Sequence, residues 1–159
     1  MKVFVIDNSE YFYILAIIPI CYTVSQNISP DSKNKNCIVI IDDEMDLLVV
    51  YKKALELSGL IVSAFADPFK ALDEFKENYS KYDLVMTDIR MPGMDGYELI
   101  NQYKKINPNI KVIFVTAQDI SKSDIVSKLN DGVSIDEFIN KPVSLDKLNQ
   151  VVQSVINNS

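Results

Sequence analysis

From residue 37 onward the chain alternates short apolar runs with amphipathic stretches, and no other feature restricts its fold as tightly. The apolar runs are Cys37–Ile41, Leu60–Phe65, Leu84–Thr87, Lys111–Thr116 and Ile135–Ile139. Each has strand length, and most are rich in Val, Ile or Phe, as strands covered on both faces are. Between them Leu48, Tyr51 and Leu55 recur at helical spacing, with Gly59 as a stop. Asp67-Pro68 reads as an N-cap followed by a first-turn proline, opening a helix to about Asn78. Tyr97, Ile100 and Lys104 place a third helix between Gly96 and Asn107-Pro108. Ile125 and Leu129 mark a short fourth. Ser144 caps a fifth, striped by Leu145, Leu148, Val152 and Val155. The pattern predicts an α/β fold, a five-stranded doubly wound parallel sheet with helices on both faces.

In such a sheet, reactive side chains collect where the strands end. The first run ends in Asp42-Asp43-Glu44, and the third in Asp88 within Asp-Ile-Arg-Met-Pro-Gly-Met-Asp-Gly (88–96). The fourth ends in Thr116-Ala117, and the fifth runs Phe138-Ile139-Asn140-Lys141-Pro142. Three aspartates, a hydroxyl and a lysine are therefore expected at one sheet edge. Close carboxylates repel one another unless a counter-charge is present. Oxygen-only ligation by few residues suits Mg²⁺, and Lys141 adds a compact charge for a carboxylate or phosphoryl oxygen. An ionised aspartate is a competent nucleophile toward phosphorus, and positioning plus charge neutralisation supply most phosphoryl-transfer catalysis.

Composition removes the competing chemistries. The 159 residues include no histidine, so histidine-dependent triads, histidine-ligated zinc and a histidine phosphoacceptor are excluded. Two cysteines, Cys21 and Cys37, cannot form a four-cysteine zinc site or a disulfide framework. A formal charge of −6 and a single arginine, Arg90, oppose general nucleic-acid binding. The paired lysines Lys52-Lys53 and Lys104-Lys105 read as solvated helix faces.

The Asp-Asp pair, Asp88 with Met-Pro-Gly-Met-Asp-Gly behind it, Thr-Ala and Lys-Pro occur in the order of a response regulator receiver domain, the phosphoacceptor half of two-component signalling. Residues 36–157 resemble that family. The resemblance implies the flavodoxin-like strand order 2-1-3-4-5 and phosphorylation at Asp88. It implies Asp43 as a direct Mg²⁺ ligand, Asp42 as an acid acting through metal-bound water, and the Arg90 backbone carbonyl as a further ligand. Lys141 is expected to contact the phosphoryl group, Thr116 to hydrogen-bond it, and Phe138 to turn inward as Thr116 moves. Thr116 and Phe138 thus form the switch. The implied partners are a sensor histidine kinase or histidine phosphotransfer protein and a downstream protein effector, in the cytoplasm. No output domain is expected after the fifth helix, and no enzyme activity beyond the chain's own phosphorylation and dephosphorylation.

Each residue taken singly has a plainer reading. Asp42 and Asp43 could be helix-capping acids, Thr116 a strand end, Lys141 a solvated lysine, and Phe138 core. A phosphorylation-independent binding module on the same fold is the alternative function. An aspartate-nucleophile phosphohydrolase would want an acid two residues after Asp88, where Arg90 stands. A flavin protein would want more than four glycines.

Two features depart from the family pattern. The stretch from Gly132 to Phe138 is longer than usual, which is expected to lengthen the loop into the fifth strand. The other is the N-terminus. The domain reading is 1–28 as an apolar extension, 29–36 as a linker and 37–157 as the receiver. Tyr11–Val24 is uncharged but short of a membrane span and interrupted by Pro19. A mis-called start, a packing arm and a weak membrane contact remain open for it. Gln118, two residues after Thr116, lies where the family tunes hydrolysis.

Overall fold

Strand-to-helix alternation produces the predicted sheet. The computed structural model describes residues 36–117 and 120–158, so the N-terminal extension, most of the linker and Gln118 lie outside the described residues. The elements are β1 (Cys37–Ile41), α1 (Met45–Leu57), β2 (Ile61–Phe65), α2 (Pro68–Asn78), a 3₁₀ turn (Tyr79–Lys81), β3 (Leu84–Asp88), α3 (Gly96–Ile106), β4 (Lys111–Thr116), α4 (Lys122–Ser127), β5 (Glu137–Asn140) and α5 (Leu145–Asn157). All strand pairs are parallel, in the order β2-β1-β3-β4-β5. The sequence reversal of that order puts the ends of β1 and β3 side by side, where a doubly wound sheet forms its crevice.

Period-two alternation divides the core between the faces. Cys37, Val39 and Ile41 of β1 pack into the layer that contains Leu72, Phe75, Ile100 and Tyr103 from α2 and α3. Ile38 and Ile40 pack into the opposite layer with Leu48, Leu55, Leu148 and Val152 from α1 and α5. In the first layer Phe75 and Tyr103 stack with ring centroids 3.9 Å apart. The buried Tyr103 hydroxyl donates to the Ala71 carbonyl at 2.9 Å. Tyr103→Phe keeps the stack and removes that bond, so a loss of about 1 kcal/mol is expected in a urea melt.

Helix starts follow local chemistry. Asp67 accepts from the N–H groups of Phe69 and Lys70, and Pro68 opens α2, as the sequence indicates. Ser144 accepts from Lys147 N–H at the start of α5. Gly59, at φ +89°, follows the α1 C-cap residue Ser58. The fifth strand differs from its expected span, beginning at Glu137 rather than Ile135. The Asp136 side chain takes the Val112 N–H at 2.7 Å while the Asp136 N–H donates to the Val112 carbonyl at 3.0 Å, and Ile135 is buried in the core. The lengthened loop therefore ends by anchoring, not by extending the sheet. Among the described residues, no helix is long and apolar enough to cross a membrane.

Candidate functional site

The ends of β1, β3 and β5 bring their polar residues together around one ammonium group. Lys141 Nζ lies 2.8 Å from Asp42 Oδ2, 2.9 Å from Asp88 Oδ2 and 3.1 Å from Glu44 Oε1. The Lys141 side chain is only 8% exposed, and those of Asp42 and Asp88 are 5% and 9% exposed. Burial this deep demands pairing, which the geometry supplies.

Backbone donors fix the carboxylates on the other side. Asp88 Oδ1 accepts the N–H groups of Ile89 at 2.6 Å and Arg90 at 3.3 Å. Asp42 Oδ1 accepts the Glu44 N–H at 3.0 Å. Consequently Glu44, not Asp42 or Asp43, occupies the N-cap position of α1, and it makes no side-chain capping bond. Behind Asp88, the Gly96 N–H donates to the Ile89 carbonyl at 2.9 Å, tying the start of α3 to the strand end.

Burial pushes the Asp42 carboxyl above the usual carboxylate range, against hydrogen bonds from Lys141 and Glu44 N–H. Burial alone would lower the Lys141 pKa. Hydrogen bonds to Asp42 and Asp88 outweigh it and hold the ammonium above the ordinary lysine range. Lys141 is therefore a fixed cation at neutral pH.

Oxygens of Asp42, Asp43 and Asp88 all lie within 4.8 Å of one another, with Asp43 exposed. Three convergent carboxylate oxygens with one open side match the donor chemistry of a hard divalent cation that keeps some of its water. Three carboxylates, Asp42, Glu44 and Asp88, contact the single ammonium and Asp43 stands beside two of them, and this surplus of acid is what a dication relieves. The Asp43 side is solvent-accessible, so replacing Asp43 with Ala is expected to leave the fold intact. Mg²⁺ is expected to raise the melting temperature of the parent protein, and the substitution to reduce that rise, measured by calorimetry.

The remaining sequence candidates sit at varying distance from this cluster. Thr116 is fully buried at the end of β4, one step past Val115, the register partner of Asp88. Its carbonyl accepts the Lys141 N–H at 2.7 Å, linking the hydroxyl-bearing strand to the lysine. Phe138 pairs with Phe114 in the β4–β5 register and packs, partly buried, against the α2–α3 side of the core. It lies outside the carboxylate cluster. Arg90 reaches Asp88 through its N–H, with its residue otherwise exposed. Glu44 joins the cluster as a residue beyond the expected set, and its place in the Asp-Asp-Glu run is the sequence signal for it.

Beside Lys141 a surface cavity of about 510 Å³ opens between α1 and the β5–α5 turn, lined by Leu47, Val50, Tyr51, Pro142, Val143 and Leu145. Met45, Val49 and Val50 expose large apolar side chains on the same helix.

The profile described as response regulator receiver domain matches residues 38–153. The C4-dicarboxylate transport transcriptional regulatory protein DctD of Rhizobium meliloti is 37% identical over 71% of this chain, which spans 24% of that protein. Among solved structures, a response regulator receiver domain protein from Clostridium thermocellum superposes with a TM-score of 0.68 at 30% identity, covering 77% of this chain and 94% of its own. The CheX–CheY–BeF₃–Mg²⁺ complex from Borrelia burgdorferi gives a TM-score of 0.69 at 28% identity, over 82% of this chain and 96% of that one. This chain spans about a quarter to a half of the first curated relatives it matches.

Proposed function

Because this chain belongs to the response regulator receiver domain family, we propose that it accepts a phosphoryl group on Asp88 from a partner phosphohistidine in an Mg²⁺-dependent step. The observation that carries this reading is the placement of Asp88. One carboxylate oxygen is held by two backbone N–H groups and the other by the buried Lys141.

In the reaction an Asp88 carboxylate oxygen forms a bond to phosphorus as the P–N bond of the donor breaks. The nitrogen keeps the electron pair and the other ring nitrogen of the donor already carries a proton, so the partner leaves with a neutral imidazole and the receiver with an acyl phosphate. Lys141 holds positive charge beside the phosphoryl oxygens, and Thr116 offers a hydroxyl donor from the end of β4. The N–H groups of Ile89 and Arg90 keep the Asp88 carboxylate oriented. Asp42, Asp43 and Asp88 would hold Mg²⁺, with the Arg90 carbonyl as a further oxygen ligand. The ion supplies neutralisation of the charge gathered on carboxylates and phosphoryl group. The structural neighbour described with BeF₃ and Mg²⁺ supports that choice of ion. Hydrolysis of the acyl phosphate, by water attack at phosphorus, returns Asp88 to carboxylate.

Phosphorylation draws Lys141 and Thr116 toward new oxygens, and Phe138 is the element proposed to change packing in response. A histidine kinase or phosphotransfer protein docks by its apolar surface on the exposed side chains of α1 beside the site, and a protein effector reads the switched surface. On this reading the chain works in the cytoplasm and catalyses only its own phosphorylation and dephosphorylation. The test is intact-mass analysis after exposure to a small phosphodonor. A gain of one phosphoryl group that requires Mg²⁺ and disappears in Asp88→Asn is expected. No gain, or a gain that survives Asp88→Asn, overturns the proposal. Unchanged partner binding by Asp88→Asn without Mg²⁺ would favour a phosphorylation-independent module.

A further inference from the structure

The longer segment before β5 builds something besides a loop. Its turn is closed by the Val133 N–H donating to the Asn130 carbonyl at 3.0 Å, with Gly132 at φ +82°. Ile135 anchors its far end in the core, and Asp136 is bound to β4. Its near end is tied to α3, where Asn101 Oδ1 accepts the Asn130 N–H at 3.1 Å. Between this fixed loop and the last turns of α3 lies a cavity of about 250 Å³. Lys104, Lys105, Asn101, Asn130, Asp131 and Ser134 contribute to its lining. It opens where α3 ends and β4 and β5 begin, the sheet edge opposite Asp88.

Lysines in the last turn of a helix are ordinary complements to its dipole. Burying one of them is not. Lys104 is half buried, and among the described residues its ammonium donates only to the Pro108 carbonyl, at 3.2 Å. Neither Lys104 nor Lys105 has a carboxylate within ion-pairing distance among the described residues. Burial lowers the Lys104 pKa, opposed only by the more distant Asp136, whose carboxylate already holds the Val112 N–H. A half-buried lysine whose ammonium has no carboxylate partner among the described residues, in the wall of a polar cavity, gains from an incoming anion.

We propose that this cavity binds a small oxyanion carrying two negative charges, through Lys104 and Lys105. Two cations set the charge of the ligand, and Asn101, Asn130 and Ser134 supply neutral hydrogen-bonding groups around it. Asp131 in the lining opposes an anion, so the net attraction is that of two ammonium groups against one carboxylate. The volume is below that of drug-sized sites and suits a ligand of a few heavy atoms. The chemistry is shared by a phosphate ester and a small dicarboxylate.

Amide NMR titrations of the full chain with inorganic phosphate and, separately, with succinate test it. Saturable shifts confined to residues 101–105 and 130–134 are expected, and the probe that produces them identifies the ligand source. Lys104→Gln should weaken that binding about tenfold, the loss of one charge-assisted bond. Asp131→Asn should strengthen it, an opposite change that loss of folding cannot mimic. Asp88→Asn should leave it unaltered, which separates this site from the phosphoacceptor. Absence of saturable shifts with both probes, shifts at residues 42–44, 88 and 141 instead, or equal binding by Lys104→Gln would overturn the proposal.

Discussion

Lys141→Met is expected to destabilise the protein by about 3–5 kcal/mol at neutral pH without divalent cations, a large share of a domain's total stability. The methionine fills similar space, so lost packing is a small part of the effect. What remains is a buried Asp42 and a buried Asp88 whose shared counter-ion has gone. The Asp42 carboxyl, already pushed up by burial and now without the Lys141 bond that opposed it, rises further above its unfolded value of about 4. A group with a raised native pKa binds more protons folded than unfolded, so stability falls as pH rises between those two values. The difference in melting temperature between parent and variant should therefore be smaller near about pH 5 than near about pH 8. In the parent, the raised Lys141 pKa follows the same rule at a much higher pH. Its stabilisation is complete below the unfolded lysine value and fades only as pH climbs through the higher folded one. Mg²⁺ should recover part of the variant's loss at neutral pH, because it replaces the missing positive charge among the same acids. A pH-independent loss that Mg²⁺ leaves untouched would mean that Lys141 is not the counter-charge of the cluster.

Gly96→Ala is expected to destabilise by about 3 kcal/mol, lowering the melting temperature by about 10 °C. Helix propensity alone predicts the reverse, since alanine is better than glycine by up to about 1 kcal/mol within a helix. Space decides against it. A Cβ on Gly96 would overlap the backbone carbonyl oxygen of Asp88, and would crowd the Ile89 Cα and the Phe114 ring at 3.0 Å each. A backbone carbonyl at a strand end cannot turn aside as a flexible side chain can. The variant must either push α3 away or shift Asp88, and both break the Gly96 N–H bond to the Ile89 carbonyl. Slower phosphorylation at Asp88 should accompany the lost stability. A fully stable Gly96→Ala protein with parental phosphorylation kinetics would show that the strand end tolerates displacement.

Much of this was legible from residue types alone, where one local interaction dominates. The bounds of β1 and β4 follow from their apolar runs, and the start of α2 from Asp67-Pro68. The acids, hydroxyl and lysine reach one sheet edge because each follows a strand of a parallel sheet. Interactions between distant segments were not legible. At Val112 the N–H is taken by the Asp136 carboxylate and not by a backbone carbonyl, and β5 begins one residue later, at Glu137. The Ser121–Asp124 capping box that starts α4 has a sequence signature, Ser followed three residues later by an acid, but weak apolar spacing around Ile125 hid it. Glu44 joins Lys141 across 97 positions of sequence, which no periodicity encodes. The Lys104-Lys105 pair reads from sequence as a solvated face, and only the folded loop over α3 makes Lys104 half buried.

The proposed chemistry takes place at one atom pair, the Asp88 carboxylate oxygen and the transferred phosphorus. Borohydride reduces an acyl phosphate to the alcohol, so treating the phosphorylated protein and mapping its peptides by mass spectrometry reads the site directly. Conversion of residue 88, and of no other acid, to homoserine after exposure to phosphodonor with Mg²⁺ is the result this account predicts. Homoserine at 42 or 43, or none at 88, would contradict it.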